Sequence, residues 1–201
     1  MLDSGCGTGF AMRYLQDAMP ELEMRGNDPS ADLLGVASSR YGLPADRLDA
    51  VSSENLPYAD GEFDAVVETG MLHHVPDSEA VISEMLRVAR KAIFISDNNA
   101  YGMGSITARI AKIGLARTRM LGAVNRLRRG SHDWYFTEGD GVAWTYSVFD
   151  SLPAVQAACA ETLVIPLGES RAETERWPLL HASHCLVAGF KEPLPDPSAP
   201  G

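Results

Sequence analysis

Short apolar stretches alternate with amphipathic ones over the first half of the chain. Stretches typical of strands occur at 1–4, 21–28, 47–52, 63–69 and 91–97. Apolar side chains at helical spacing occur between them, at 8–19, 30–41 and 77–90. This alternation predicts a parallel sheet covered by helices on both faces.

The alternation stops after residue 97 and resumes near residue 148. Residues 101–131 look helical and basic, and residues 132–147 are aromatic and rich in turn signals. The later pattern predicts one helix and two strands, at 148–161, 162–167 and 184–191. Because long insertions in compact domains are usually lids or binding elements, we expect residues 101–147 to form a lid.

These elements predict a single doubly wound α/β domain over residues 1–191, with a mostly parallel sheet of seven strands. The first strand holds only the residues MLDS, so we expect it to be truncated, and we expect an upstream extension to stabilise the sheet. Residues 192–201 contain four prolines. Since proline lacks an amide donor and fixes φ, we expect these residues to form a disordered tail.

Composition limits the class of protein. Of the 201 residues, 45% are apolar and 22% are charged, and no apolar run reaches the length of a transmembrane helix. The first ten residues lack the basic and apolar regions of a signal peptide, and the three cysteines form no CxxC pair. These features favour a cytoplasmic protein and disfavour a disulfide scaffold or a zinc knuckle.

Charge is spread unevenly along the chain. The formal net charge is −10, which disfavours nucleic-acid binding because phosphates repel a negative surface. Residues 101–131 nevertheless contain seven Lys and Arg residues and no acidic residue. Three interpretations of the basic stretch 106–129 stay open: a solvated helix face, weak contact with a membrane surface, and a clamp for an anionic substrate.

A glycine-rich loop, DSGCGTG at residues 3–9, lies between a predicted strand and a predicted helix. Glycines at alternate positions permit a tight turn and let a ligand approach the backbone. The dinucleotide-binding fingerprint GxGxxG would require a third glycine at position 10, where this chain has Phe10. The loop therefore disfavours a nucleotide-dependent oxidoreductase.

Residues 3–9 resemble motif I of the class I S-adenosylmethionine-dependent methyltransferases, D-x-G-C-G-T-G. Further segments resemble the small-molecule, type 11-like branch of that family in the correct order: GNDPS at 26–30, ENLPY at 54–58, FDAVV at 63–67, MLHHVPD at 71–77 and EMLRV at 84–88. The resemblance is dense over residues 1–97 and rests on the element pattern beyond them. It implies a Rossmann-like fold, S-adenosyl-L-methionine as cofactor, and methyl transfer to a small molecule.

The resemblance also implies a cofactor site. Asp3 and the backbone of Gly5–Gly7 would hold the methionine end, and Asp28 would accept hydrogen bonds from the ribose hydroxyls, with a helix cap as its alternative role. This chain departs from the family at Ser52, where an aspartate near the adenine is common. The implied set is Asp3, Gly5, Cys6, Gly7, Asp28, Pro29, Ser53, Glu54, Asn55 and Glu68.

Methyl transfer requires alignment of the acceptor and removal of its proton. Because ligands of doubly wound sheets lie beyond the carboxyl ends of the strands, candidates follow the fourth and fifth strands. The candidate catalytic residues are His73, His74 and Asp97. The two histidines have the alternative role of shaping the cofactor pocket. Asp97 has the alternative role of forming an ordinary turn.

Other polar and aromatic side chains are candidates for contact with the acceptor. They are Asn98, Asn99, His132, Asp133, Trp134, Tyr135, Phe136, Asp140, Trp144 and Tyr146. No cluster with metal-ligand spacing occurs in the sequence, so we expect no metal.

We therefore expect a methyltransferase that O-methylates a sugar, a lipid-linked compound or a secondary metabolite, because histidine and carboxylate bases suit a hydroxyl acceptor. The alternative is a non-catalytic or truncated S-adenosylmethionine-binding paralogue. The identity of the acceptor and the oligomeric state stay open.

Overall fold

The computed structural model describes residues 1–128, 132, 134–139, 141–168 and 172–195. Their strands are β1 (Leu2–Ser4), β2 (Arg25–Asn27), β3 (Leu48–Asp49), β4 (Phe63–Thr69), β5 (Ala89–Asn98), β6 (Trp134–Thr137), β7 (Gly141–Trp144), β8 (Glu161–Leu167) and β9 (His184–Phe190). Seven of them form one sheet in the order β3-β2-β1-β4-β5-β9-β8, and β6 pairs with β7 in a separate hairpin. Strands β1 to β5 run parallel, and β9 is antiparallel to both β5 and β8. The predicted Rossmann-like, mostly parallel sheet is confirmed.

The strand order reverses between β1 and β4, which are neighbours in the sheet. Their register places Leu2 opposite Val66 and Asp3 opposite Val67. The carboxyl ends of the two strands therefore meet at the point where doubly wound sheets bind ligands.

Eight helices lie in the described residues. They are α1 (Phe10–Ala18), α2 (Ala31–Tyr41), α3 (Ser78–Val88), α4 (Ile106–Arg117), α5 (Leu121–Arg128), α6 (Val148–Ala158), α7 (Ala172–Arg176) and α8 (Pro178–His181). Helix α2 begins after Ser30, which is its N-cap, because the Ser30 hydroxyl accepts a hydrogen bond from the amide of Leu33.

Two apolar clusters hold the sheet and its helices together. The larger contains the inner face of α3, where Val81, Met85 and Val88 are all fully buried. The smaller joins α1, α2 and β4 around Met12, Ala37 and Val67. Burial of apolar area in these clusters on each side of the sheet is the main favourable contribution to folding.

Several predicted boundaries are wrong by a few residues, and physical reasons account for them. Helix α1 begins at Phe10 because the glycine loop occupies the preceding positions. Strand β3 pairs over two residues only, because it lies at the edge of the sheet and its ladder with β2 ends at Asp49. Strand β5 starts directly after α3, at Ala89.

The basic stretch forms two helices rather than one. Helix α4 ends at Arg117, and Arg119 adopts a left-handed backbone conformation with φ of 59°. Such a residue commonly ends a helix and redirects the chain. The base of the insertion is closed by an antiparallel bridge between Asn99 and Ser147. Of the predicted disordered tail, residues 196–201 lie outside the described residues.

Candidate functional site

The glycine loop after β1 adopts backbone angles that favour glycine. Gly5, Gly7 and Gly9 have φ values of 72°, 52° and 76°. A Cβ atom at Gly5 would lie 2.5 Å from Cγ of Met71, and one at Gly9 would lie 2.9 Å from Cβ of Ala37. A Cβ atom at Gly7 would meet no described atom within 4 Å, so a ligand can approach the backbone at that position.

Asp28 connects the glycine loop to α2. Its Oδ2 accepts a hydrogen bond from the amide of Gly7 at 3.1 Å, and its Oδ1 accepts one from the amide of Ser30 at 2.8 Å. The side chain is buried, and the neighbouring Pro29 is exposed. Asp28 therefore fixes the turn before α2, whose N-cap is Ser30, and lies beside the loop where a ribose would be held.

Cys6 contributes its backbone rather than its thiol to the loop. Its amide donates to the carbonyl of Asn27 at 2.9 Å, and its Sγ lies close to Gly26 beneath the loop. Burial raises the pKa of the Cys6 thiol to about 12, so the thiol stays protonated at neutral pH.

Two buried carboxyl groups lie at the carboxyl ends of β1 and β4. Neither oxygen of Asp3, nor Oε2 of Glu68, has a hydrogen-bond partner among the described residues. The other oxygen of Glu68, Oε1, accepts from the amides of Met71 and Leu72. Burial, and secondly the charge of Asp28, raise the pKa of Asp3 to about 7. Burial, followed by the charge of Asp97, raises the pKa of Glu68 well above its usual range.

An ionised carboxylate without partners is costly inside a protein unless a cation compensates it. S-adenosyl-L-methionine carries both an ammonium and a sulfonium group, and therefore it fits the unpartnered oxygens of Asp3. The open backbone at Gly7 fits the close approach of the same ligand. On these two observations the residues present suit the cofactor.

The loop after β3 also lies at the carboxyl ends of the parallel strands. The Ser53 hydroxyl accepts hydrogen bonds from Nδ2 of Asn27 at 2.9 Å and from the hydroxyl of Ser4 at 2.8 Å. Glu54 lies 3.3 Å from the Ser52 hydroxyl, and Asn55 is exposed. Ser53 thus ties this loop to the ends of β1 and β2.

His73 and Asp97 form a buried pair. Nδ1 of His73 lies 2.6 Å from Oδ1 of Asp97, and the His73 amide donates to Oδ2 at 3.3 Å. Because an ionised carboxylate can only accept, a neutral His73 ring that faces Asp97 in this way would have its proton on Nδ1, and Nε2 would be the basic nitrogen. The pair has the arrangement of an oriented general base.

His74 connects this region to the insertion. Its ring centroid lies 4.0 Å from that of His73, and its Nδ1 lies 2.8 Å from the carbonyl oxygen of Val142 in β7. The hairpin of β6 and β7 is thereby held against the turn that carries both histidines.

Asn99 is a structural residue. Its Nδ2 donates to the carbonyl oxygens of Leu179 and Ala182 at 2.9 and 2.8 Å, and its Oδ1 accepts from the amide of Tyr101 and the hydroxyl of Ser147. The side chain is fully buried. The expectation that Asn99 contacts the acceptor is therefore wrong, because its amide group is already engaged on both sides.

A cavity of about 700 Å³ opens between α3, α5, β7 and α6. Its lining includes Leu72, the residue before His73 in the chain, together with Asn125, Trp144 and Tyr146. The Tyr146 hydroxyl lies 2.6 Å from the Ser151 hydroxyl, and burial raises its pKa. The sequence drew attention to Trp144 and Tyr146 through their aromatic density, but it gave no signal for Ser151 or Asn125.

The remaining candidates for acceptor contact in the insertion are residues 132–136 and Asp140. The ring of His132 lies 4.9 Å from that of Trp134, and Trp134 and Phe136 are exposed. Asp133 and Asp140 lie outside the described residues. Among the residues that the structure describes, no group of three or more His, Cys, Asp or Glu side chains could hold a metal ion.

Comparison with known proteins identifies the domain. A family model described as a methyltransferase domain matches residues 2–95. These residues belong to the methyltransferase domain family. The resemblance to class I S-adenosylmethionine-dependent methyltransferases of the type 11 branch is thereby confirmed, and the family and fold imply S-adenosyl-L-methionine as cofactor.

Relatives of this methyltransferase domain occur in longer proteins. The chain is 30% identical to an uncharacterized protein of Synechococcus over 187 residues, covering 89% of this chain and 38% of that protein. It is 32% identical to a demethylmenaquinone methyltransferase of Thermotoga maritima over 91 residues, covering 45% of this chain and 39% of the relative. The chain thus spans about two fifths of the length of these curated relatives.

Solved structures share the fold. An S-adenosylmethionine-dependent methyltransferase from Mesorhizobium loti superimposes with a TM-score of 0.60 at 16% identity, covering 94% of this chain and 89% of that chain. A protein from Pyrococcus horikoshii gives a TM-score of 0.62 at 14% identity, covering 95% and 81%.

Proposed function

We propose that this protein transfers the methyl group of S-adenosyl-L-methionine to a small-molecule acceptor. The observation that carries the proposal is the fully buried carboxyl group of Asp3, whose oxygens have no partner among the described residues. It lies at the start of a glycine loop whose backbone a ligand can approach. A cationic ligand would compensate this carboxylate, and the family supplies one.

Each part of the cofactor has residues that would hold it. Asp3, with Glu68 behind it, would face the positive charge of the methionine end, and the backbone of Gly5–Gly7 would line it. Asp28 would accept hydrogen bonds from the ribose, while Pro29, Ser53, Glu54 and Asn55 would line the adenine side. When bound, S-adenosyl-L-methionine supplies an electrophilic methyl group on a sulfonium sulfur.

We further propose that His73 is the general base and that the reaction is an O-methylation. Nε2 of His73 would accept the proton of the acceptor hydroxyl, and the Asp97 carboxylate would stabilise the resulting imidazolium. Asp97 is thus a positioning residue that acts through His73. His74, whose ring centroid lies 4.0 Å from that of His73, is the second candidate for the base.

The cavity next to Leu72 is our candidate for the acceptor site. Its volume of about 700 Å³ suits a small organic molecule, and Trp144 provides an aromatic wall. Relatives include an ajmaline N-methyltransferase and a ubiquinone/menaquinone C-methyltransferase, so the choice of oxygen as the acceptor atom rests on the His73–Asp97 pair.

We also propose a cytoplasmic location, in keeping with three free cysteines, and an anionic partner for the basic stretch 106–129.

Calorimetric titration with S-adenosylmethionine and S-adenosylhomocysteine tests the cofactor site. Micromolar binding that is lost in Asp28→Ala would support it, and Asp32→Ala, which removes an exposed acid from the first turn of the neighbouring helix α2, is the matched control. Absence of binding to the folded wild-type chain would contradict the proposal.

A screen with methyl-labelled cofactor and hydroxylated small molecules then tests turnover. Labelled product that depends on His73 would support O-methylation. Cofactor binding without transfer to any acceptor class would favour the non-catalytic paralogue instead.

A further inference from the structure

The outer face of α4 exposes apolar side chains next to a cation. Ile106 and Ile110 are 46% and 59% exposed, and Arg117 follows seven residues after Ile110. Residues four and seven apart share one face of a helix, so these three side chains form a single stripe. Large exposed apolar groups that lie together mark interaction surfaces.

Two cations beside this stripe on α4 are engaged with the rest of the protein. Nη1 of Arg109 donates to the carbonyl oxygen of Leu180 at 3.0 Å, and Nζ of Lys112 donates to that of Met103 at 2.8 Å. These two cations therefore fix the orientation of α4, and the Ile106–Ile110–Arg117 stripe is left to face outward.

Helix α5 continues this outer surface. None of its residues is buried, and Leu127 is 87% exposed. Leu121 and Asn125, half a turn away from Leu127 around the helix, line cavities beneath it. Met120, which precedes α5, is 54% exposed.

Several arginines elsewhere in the protein are paired with carboxylates, whereas four clustered arginines of α4, α5 and the turn between them are paired with no described carboxylate. Arg13, Arg25, Arg87 and Arg90 each lie within 3 Å of a carboxylate. By contrast, none of the ion pairs among the described residues involves Arg117, Arg119, Arg126 or Arg128, and all four side chains are exposed. A cluster of uncompensated positive charge on a chain of net charge −10 makes this surface attractive to an anionic partner.

We propose that the outer face of α4 and α5 docks on an anionic lipid bilayer. We call this face the α4–α5 surface, and it comprises Ile106, Ile110, Arg117, Met120, Leu127 and Arg128. Helices that lie in a membrane interface combine arginine side chains at the border of the surface with isoleucine and leucine side chains between them. The apolar side chains distinguish this surface from a nucleic-acid site, where aromatic and hydrogen-bonding groups would be expected instead.

Electrostatics would also orient the molecule. The remainder of this acidic protein is repelled by anionic lipids, so the α4–α5 surface is the face that would approach them. Among the described residues no helix is long and apolar enough to cross a membrane, so we infer binding at the surface. Docking would place α5, one wall of the 700 Å³ cavity, against the bilayer and favour a lipid-soluble acceptor; this consequence alone rests on the proposed function.

Co-sedimentation with sucrose-loaded vesicles tests the docking. The wild-type chain should bind vesicles of phosphatidylcholine with about one third phosphatidylglycerol, bind phosphatidylcholine alone at least about tenfold more weakly, and dissociate as salt rises. The charge-reversal variant Arg117→Glu, Arg128→Glu should lose at least about tenfold in partition coefficient, since each cation near the surface contributes. The double variant Ile110→Asp, Leu127→Asp should lose binding while keeping all four arginines.

The matched control is Arg40→Glu, which reverses an exposed charge on α2 at the other end of the sheet and should bind as the wild type does. Thermal melting and titration with S-adenosylhomocysteine show whether each variant is folded, separately from docking. Equal binding to both vesicle types, or variants that bind like the wild type, would overturn the proposal. Binding to single-stranded RNA but not to vesicles would overturn it in favour of a nucleic-acid surface.

Discussion

Nδ1 of His73 and Oδ1 of Asp97 lie 2.6 Å apart, although 24 residues separate them in the sequence. His73 follows β4 and Asp97 is near the end of β5, and the two strands are parallel neighbours with Thr69 opposite Ser96. The parallel pairing of β4 and β5 therefore brings an imidazole and a carboxylate together at the carboxyl ends of the strands, where the glycine loop also lies. Both side chains are buried, which strengthens the charge-assisted hydrogen bond between them.

Replacement of Asp97 by Asn should reduce kcat about tenfold to hundredfold and leave KM for the acceptor nearly unchanged. The amide keeps the shape of the carboxylate but cannot stabilise the imidazolium form of His73. Steady-state kinetics against pH will also show a shifted acidic limb. His184→Gln, an exposed histidine at the start of β9, serves as control, and a wild-type pH profile in Asp97→Asn would contradict the role of the pair.

The affinity for the cofactor should rise with pH up to about 7, because Asp3 must ionise to meet a cation and its pKa is raised to about 7. The same shift means that the ligand-free protein loses stability as pH rises from about 4 to 7, since the folded state holds the proton more tightly than the unfolded state. Thermal melting across this range should show that loss in the wild type and a weaker one in Asp3→Asn. The variant should also melt at a higher temperature at pH 8 and bind S-adenosylmethionine more weakly. A pH-independent affinity in the wild type would rule out this assignment.

Asp28→Asn should weaken cofactor binding at least about tenfold, because an amide offers one acceptor oxygen where the ribose requires two. It should also cost about 1 kcal/mol of stability, since the carboxylate accepts from the amides of Gly7 and Ser30. Titration calorimetry and urea unfolding separate the two effects. Unchanged affinity would show that Asp28 serves only to hold the glycine loop and the turn before α2.

Two alanine substitutions in the glycine loop should change different properties: Gly9→Ala mainly the stability, and Gly7→Ala mainly the affinity for the cofactor. Gly9→Ala would bring a Cβ atom against the side chains of Leu43 and Ala37, so it should lower the stability by about 2 kcal/mol or more. Gly7→Ala meets no described atom within 4 Å and should cost only about 1 kcal/mol for its left-handed backbone. Its new methyl group projects where the ligand would approach, and therefore calorimetry should show weaker cofactor binding. Normal cofactor affinity in Gly7→Ala would place the ligand elsewhere.

Asn99→Ala should destabilise the protein by about 3 kcal/mol or more, because it leaves buried backbone carbonyls of Leu179 and Ala182 without donors. Urea unfolding measures the change. Asn98→Ala, at the adjacent half-buried position, should cost much less. Equal effects of the two substitutions would contradict the structural role of Asn99.

Much of the fold was predictable from local patterns. The β4 stretch and the inner face of α3 follow from the spacing of residues such as Val66 and Met85, because burial on a sheet or helix repeats with a fixed period. The glycine loop was predictable because its residue types are imposed by backbone conformation, as the φ values of Gly5, Gly7 and Gly9 show.

Other features depend on contacts between distant residues. The role of Asn99 could not be predicted because its partners Leu179 and Ala182 lie 80 and 83 residues further along the chain. Likewise, the spacing of Arg109 and Lys112 in α4 matches a solvated face, and only the tertiary structure shows that both donate to backbone carbonyls. The unpartnered state of Asp3 is also invisible in the sequence, since it results from everything that surrounds the residue.

The bridge between Asn99 and Ser147 brings together the two ends of the segment that contains α4, α5 and the hairpin. The Ser147 hydroxyl donates to Oδ1 of Asn99 at 2.9 Å, so the junction is held independently of what the segment contains. The sheet and the glycine loop lie outside this closed junction. We therefore expect the segment to be exchangeable: grafting the corresponding segment of a relative should alter acceptor choice without changes in the domain that would bind the cofactor.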